Sequence, residues 1–173
     1  MILLVDDDPV ARRMLGNALA HLRFDVRTAA DGTEALSLIN CGPVPDLILM
    51  DFEMPGLDGL DVCQRIRTSG NSAVREVPVI MLTAHGDEAD EIRCLTAGAS
   101  DFVTKPASRA VLEARIRTQL RLRALNEEMR SRNQELARWR RDHEADLISA
   151  RATQQGLLPS APPAIPGWRV ETH

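Results

Sequence analysis

The sequence predicts an α/β fold built on a doubly wound parallel sheet of five strands, followed by a long C-terminal helical extension. Three observations carry this. Short apolar runs alternate with longer segments of helical period through the first hundred or so residues. The runs end in carboxylates or a threonine, most abruptly in "DLILMDFEMPGLDG", where Leu47–Met50 run straight into Asp51. From Ala107 to Gln155 there is neither glycine nor proline, and the composition favours helix.

The elements follow in order. Ile2–Val5 is an apolar run ahead of Asp6, Asp7 and Asp8, and Pro9–Leu22 has helical period, with Asp7 or Asp8 able to cap it. Val26–Ala29 and Thr33–Asn40 repeat the strand and helix. Leu47–Met50 is an unbroken apolar run, the pattern of a strand buried on both faces. Pro55, Gly56 and Gly59 then break regular structure, so Asp51 is expected at the carboxyl end of a central strand, facing a loop crevice. Leu57–Thr68 and Asp87–Ala97 are the next helices, and Val77–Leu82 and Phe102–Val103 the last strands. Such a repeat implies right-handed crossovers and ligands at the carboxyl ends of the strands.

Composition excludes several classes. Of 173 residues 44% are hydrophobic and 27% charged, as in a soluble globular protein. Only 3% are aromatic, which argues against stacking on nucleic-acid bases. Residues 1–105 carry 17 acidic against 9 basic side chains, whereas 106–155 carry 7 against 11. The arginines of the second segment alternate with acidic residues, as on a solvated helix, so no direct nucleic-acid contact is expected. Cys41, Cys63 and Cys94 are far apart and lack metal-ligand spacing, which reads as reduced, partly buried thiols. The N-terminal run is too short for a signal peptide or a membrane span, pointing to the cytoplasm and to no membrane partner.

The polar residues at the strand ends belong together: Asp6, Asp7 and Asp8 after the first run, Asp51 and Glu53 after the third, Thr83 after the fourth, Lys105 after the fifth. Lys105 is the only lysine in the chain, so a compact ammonium rather than a guanidinium fork is wanted there. Crowded carboxylates are compatible with a hard divalent cation such as Mg²⁺. A carboxylate beside Mg²⁺ can attack phosphorus to give an acyl phosphate, with metal and lysine neutralising the phosphoryl oxygens and the Thr83 hydroxyl bonded to them.

"ILLVDDDP", "DLILMDFEMPGLDG", "VPVIMLTA" and "DFVTKP", in this order and at these spacings, closely resemble the receiver domain of two-component response regulators. The resemblance covers about residues 1–120. It implies a flavodoxin-like (βα)5 domain phosphorylated by a histidine kinase or phosphotransfer protein. Asp51 would be the phosphoacceptor, and Asp6, Asp7, Asp51 and the Glu53 backbone carbonyl would hold Mg²⁺. Thr83 and Lys105 would contact the phosphoryl group. Phe102 occupies the place of the aromatic switch residue that acts with Thr83, and Lys105-Pro106 that of a peptide bond usually cis in the family. The carboxylate of Glu53 departs from many relatives and bears on phosphoryl lifetime. Haloacid-dehalogenase-like phosphatases use similar groups, but their nucleophile lies on the first strand; the chain order here favours the receiver.

Beyond Pro106 a helix continuous with the receiver's last is expected over 121–155. Leu122, Met129, Leu136, His143, Ala150 and Leu157 recur at one heptad position and Leu125 and Trp139 at the other, interrupted by Arg132, Asp146 and Thr153. This reads as a weak or conditional parallel coiled coil giving a homodimer. Residues 156–173 form a Pro-rich segment. "ATQQGLLPSAPPAIPGW" resembles the entrance to a metal-dependent serine/threonine phosphatase of the sporulation and stress-response type. The expectation is a phosphatase-type response regulator whose output domain lies beyond this chain and acts on a phosphorylated anti-sigma-factor antagonist. The alternatives are an adaptor that binds a sigma factor or an antagonist directly, and a receiver controlling a nucleotide cyclase.

Overall fold

The computed structural model describes the backbone of residues 1–157 except His85 and Asp87 and, beyond Arg141, only the side chains of His143 and Glu144. The strands are β1 (Ile2–Val5), β2 (Val26–Ala29), β3 (Leu47–Asp51), β4 (Val79–Thr83) and β5 (Asp101–Thr104). The helices are α1 (Pro9–His21), α2 (Gly32–Cys41), α3 (Gly59–Arg67), α4 (Ser72–Arg75), α5 (Glu88–Thr96) and α6 (Arg109–Leu157). All five strands are parallel, in the order β2-β1-β3-β4-β5. The chain leaves β1 for β2 on one side and returns to β3 on the other, so the sheet reverses its winding between β1 and β3. Ligand crevices open at such a reversal, outside the carboxyl ends of the strands.

Strand alternation divides the core into two layers. Leu3, Val5, Ile48, Met50, Val79 and Met81 face one way and pack with Ala35, Ile39, Val62, Cys63, Ile66 and Cys94 from α2, α3 and α5. Ile2, Leu4, Leu47, Leu49, Ile80 and Leu82 face the other way, onto Leu19 of α1 and Leu112 and Ile116 of α6. Central strands covered on both faces need no polar alternation, which is why β1, β3 and β4 read as continuous apolar runs.

Helix starts follow their caps. The Asp8 carboxylate accepts the Val10 N–H at 2.8 Å, Asp31 that of Glu34 at 2.8 Å and Asp58 that of Asp61 at 2.8 Å. Asp8, not Asp7, is therefore the cap of α1. The structure departs from the sequence expectation in β4, which begins at Val79 rather than Val77. Val77 is buried, but its N–H closes a turn onto Val74 O at 3.1 Å, and Pro78 has no N–H for the ladder. The single-turn helix α4, capped by Asn71 and too short to show a period, was not anticipated. β5 is longer than Phe102–Val103 because Asp101 and Thr104 pair with Ile80 and Thr83.

At the end of the sheet away from the strand carboxyl termini, Arg67 ties several elements together. Its guanidinium donates to the carbonyls of Gly98, Arg75 and Val77 at 2.7, 2.9 and 2.8 Å. Gly98, at φ 93°, is required beside it: a Cβ there would stand 2.8 Å from Arg67 Cγ. All three cysteines are free thiols, Cys63 and Cys94 buried and Cys41 exposed. Burial is the main cause that pushes the Cys94 thiol up to about 11, with the Asp90 and Cys63 charges adding to it.

By contacts the chain divides into Met1–Leu125 and Asn126–His173. In the first unit Arg123 Nη1 donates to Pro45 O at 2.6 Å, securing α6 to the loop that enters β3. In the second, α6 is held by its own ladder and by i,i+4 pairs such as Arg132–Glu128 at 2.7 Å. The Pro-rich segment read as an output-domain entrance lies outside the described residues from position 158 onward. Among the described residues no helix is long and apolar enough to cross a membrane.

Candidate functional site

Register brings the strand-end residues together. Val5 pairs with Met50, so Asp6 stands one step beyond β1 beside Asp51, the last residue of β3. Asp51 pairs with Leu82, and Thr83 ends β4 opposite Thr104. Lys105 follows β5, its N–H donating to Thr83 O at 2.6 Å, and the Lys105-Pro106 bond is cis. Asp6, Asp51 and Thr83 are the buried polar residues among those described, at 1%, 8% and 1% exposure. Three polar side chains withdrawn from water at adjacent strand ends oppose folding unless each is partnered.

Lys105 supplies much of that partnership. Its ammonium lies 2.9 Å from Asp6 Oδ2 and 3.0 Å from Asp51 Oδ2. Asp6 Oδ1 accepts the Asp8 N–H at 3.0 Å, and Arg12 of α1 donates to the Asp6 carbonyl at 2.5 Å. Gly59 opens α3 directly against the third strand end: its N–H donates to Phe52 O at 3.1 Å, and a Cβ there would fall 2.2 Å from the Asp51 carbonyl oxygen. Only glycine lets the helix start this close to Asp51.

The charges are under tension. Burial raises the Asp51 pKa above its ordinary value of 3.8; hydrogen bonding to Lys105 and its charge oppose this, and the charges of Asp6 and Asp7 add to the rise. For Lys105 burial works downward, but hydrogen bonds to Asp6 and Asp51 outweigh it and hold the pKa above the ordinary lysine value. One lysine thus serves two carboxylates, with a third, exposed, close by.

Asp6, Asp7 and Asp51 each offer a carboxylate oxygen within 4.8 Å of one another, the grouping among the described residues that fits a metal ion. All-oxygen donors of high negative charge suit Mg²⁺ rather than a softer ion, so the residues present fit that cation. Glu53 lies exposed in the loop after β3, two residues from Asp51. Phe102 is partly buried against the layer that holds Phe52 and Met54. Sequence reasoning missed Arg12, Gly59's contact with Asp51, and Arg93 of α5, whose guanidinium stands 5.1 Å over the Phe52 ring. Only Gly59 gave a sequence signal, as the glycine behind a capping Asp. The linker residues Leu122, Leu125, Met129, Leu136 and Trp139 lie exposed on α6.

Comparison with known proteins agrees with this geometry. Residues 2–117 match the family described as "Response regulator receiver domain". The chain is 48% identical over 120 residues, 69% of its length and 45% of the relative's, to "Probable transcriptional regulator ycf27" of Guillardia theta. It is 39% identical over 131 residues, 76% of its length and 28% of the relative's, to "Response regulator PleD" of Caulobacter vibrioides (strain NA1000 / CB15N). The chain thus spans less than half the length of either relative. Among solved structures, the receiver domain of NtrX from Brucella abortus matches with a TM-score of 0.63 at 31% identity, over 70% of this chain and 98% of that one. With a parallel five-stranded sheet, an acidic cluster at its switch point and this match over most of its length, the chain belongs to the response regulator receiver domain family.

Proposed function

We propose that this chain is the phosphorylation-controlled input portion of a two-component response regulator and that Asp51 is its phosphoacceptor. The observation that carries the reading is the Lys105 ammonium held within 3.0 Å of both Asp6 and Asp51 at the end of the sheet. Receiver domains work with histidine kinases or phosphotransfer proteins, and the donor is read here as a phosphohistidine of such a partner. An Asp51 carboxylate oxygen attacks phosphorus; the O–P bond forms as the P–N bond breaks, and its electron pair leaves on the imidazole. Asp6, Asp7, Asp51 and the Glu53 backbone carbonyl would hold Mg²⁺, which when bound neutralises the phosphoryl oxygens and the crowded carboxylates. Lys105 then turns its charge from Asp51 to the phosphoryl group, and the Thr83 hydroxyl bonds to it. Phe102, paired with Met81 two residues before Thr83 on β4, repacks with that shift, biasing a two-state equilibrium of the domain.

The output is read from the chain beyond the receiver. Residues 1–120 act as the receiver and 121–155 as a helical linker that joins two copies. Residues 156–173 lead into a serine/threonine phosphatase domain, supported by the Leu-Leu-Pro and Pro-Gly-Trp pattern. A second reading, a DNA-binding output, draws on the ycf27 relative, whose printed name is that of a transcriptional regulator. The test is intact mass after incubation with acetyl phosphate and Mg²⁺. The parent gains one phosphoryl group and Asp51→Asn gains none; equal labelling of both overturns the assignment.

A further inference from the structure

We propose that Arg93 is a positioning residue for phosphoryl transfer: by covering the ring of Phe52, its guanidinium holds the strand end that carries Asp51 in the conformation that accepts the phosphoryl group. The proposal rests on the reading of Asp51 as the phosphoacceptor, and adds a residue outside the acidic cluster that sets how fast Asp51 reacts.

The main chain just past Asp51 is fixed at two points. The Phe52 N–H donates to Leu82 O of β4 at 2.9 Å, and Phe52 O accepts the Gly59 N–H of α3 at 3.1 Å. The side chain of Phe52 is the third anchor. It is 6% exposed and lies in the same buried layer as Met50 and Met54. Over its ring, 5.1 Å from the centroid, stands the guanidinium carbon of Arg93, within the range of a cation–π contact.

The sequence of α5 puts Arg93 there. Cys94 is fully buried in the same layer and fixes which face of the helix turns inward. Arg93, one residue earlier, is carried to the rim, where its apolar stem spans the protein surface and its charge stays in water. Its side chain is 56% exposed, and the Asp90 carboxylate on its own helix accepts from Nη1 at 3.1 Å. The guanidinium is thus held at both sides, by Asp90 and by the ring.

Phe52 is the chain neighbour of Asp51, so movement of its ring shifts the strand end against the Lys105 ammonium, 3.0 Å from the Asp51 carboxylate. A misplaced nucleophile reacts more slowly with every reacting group still present. Arg93 therefore acts on Asp51 through Phe52, and its effect should vanish when the ring is removed.

The experiment times acetyl phosphate labelling by intact mass on the whole chain as parent, Arg93→Met, Arg93→Lys, Phe52→Leu and Arg93→Met/Phe52→Leu. Arg93→Met keeps an apolar stem and loses the cation; it should slow labelling about threefold, the kinetic equivalent of one exposed cation–π contact. Arg93→Lys should recover most of the rate, and Arg93→Met should add nothing in the Phe52→Leu background. Amide hydrogen exchange at Phe52 and Gly59 should quicken in Arg93→Met and not in Arg93→Lys. A merely structural contact would lower the urea midpoint and leave the folded chain labelling at the parent rate. That result, unchanged exchange at Phe52 and Gly59, or equal slowing in both backgrounds, the mark of a charge acting on the donor itself, overturns the proposal. Equal labelling of the parent and Asp51→Asn defeats the phosphoacceptor reading and this proposal with it, whereas Asp51-dependent labelling at one rate in every Arg93 variant defeats this proposal alone.

Discussion

Lys105 has two carboxylates within 3.0 Å, and its position as the chain's single lysine makes it legible in the sequence alone. Asp6, Asp51 and Thr83 are legible for a related reason: each follows an apolar run where continued burial would otherwise be expected. Arg12 and Arg93 are not, because a side chain that reaches a carbonyl or a ring leaves no periodic trace. Replacing Lys105 by Met removes a charge-assisted hydrogen bond to the transferring group and should slow Asp51 labelling by about 10- to 100-fold, measured by intact mass against time. The raised Asp51 pKa has a signed consequence for stability. An acid whose folded pKa lies above its unfolded value opposes folding once ionised, so its contribution is most favourable below pH 3.8 and worsens as pH rises through the folded value. That net rise already includes attraction to Lys105. Asp51→Asn should therefore be more stable than the parent at pH 7 without metal, and the difference should shrink toward pH 4 in thermal melts with chelator.

At the level of elements, the sheet was readable because its central strands are covered on both faces and apolar throughout. The boundaries that shifted did so for local reasons: Pro78 delays β4, and α4 is a single turn hidden between breakers. β5 was read too short because it is an edge strand whose ends are the polar Asp101 and Thr104. The start of α3 carries a sharper constraint. Gly59→Ala places a methyl 2.2 Å from the Asp51 carbonyl, a backbone atom that cannot rotate away. The substitution should cost about 1–3 kcal/mol in chemical denaturation, as overpacking does elsewhere. It should also slow labelling, because relief of the clash moves the strand end that carries Asp51. Ala at Gly56, which meets nothing within 4 Å but has φ 81°, is the comparison that separates backbone strain from collision.

For the molecule as a whole, the acidic 1–105 and basic 106–155 segments separate in the sequence, but the structure divides later: α6 packs Leu112 and Ile116 into the sheet domain, and its described side chains are exposed beyond Leu125. The fold of the first could be read because burial writes apolar runs into a sequence. The role of the second is less legible, since an exposed helix shows only its stripe. If Asp6, Asp7 and Asp51 hold Mg²⁺ in the folded state alone, the cation at a hundred times its dissociation constant should add about 2.7 kcal/mol of stability, lost in Asp6→Asn/Asp7→Asn. The most direct test of the central claim is borohydride trapping of the chain after acetyl phosphate treatment, followed by peptide mass mapping. Reduction converts an aspartyl phosphate to homoserine. Homoserine at position 51 alone is the result predicted here; homoserine at position 6 or 7, or at none, would contradict it.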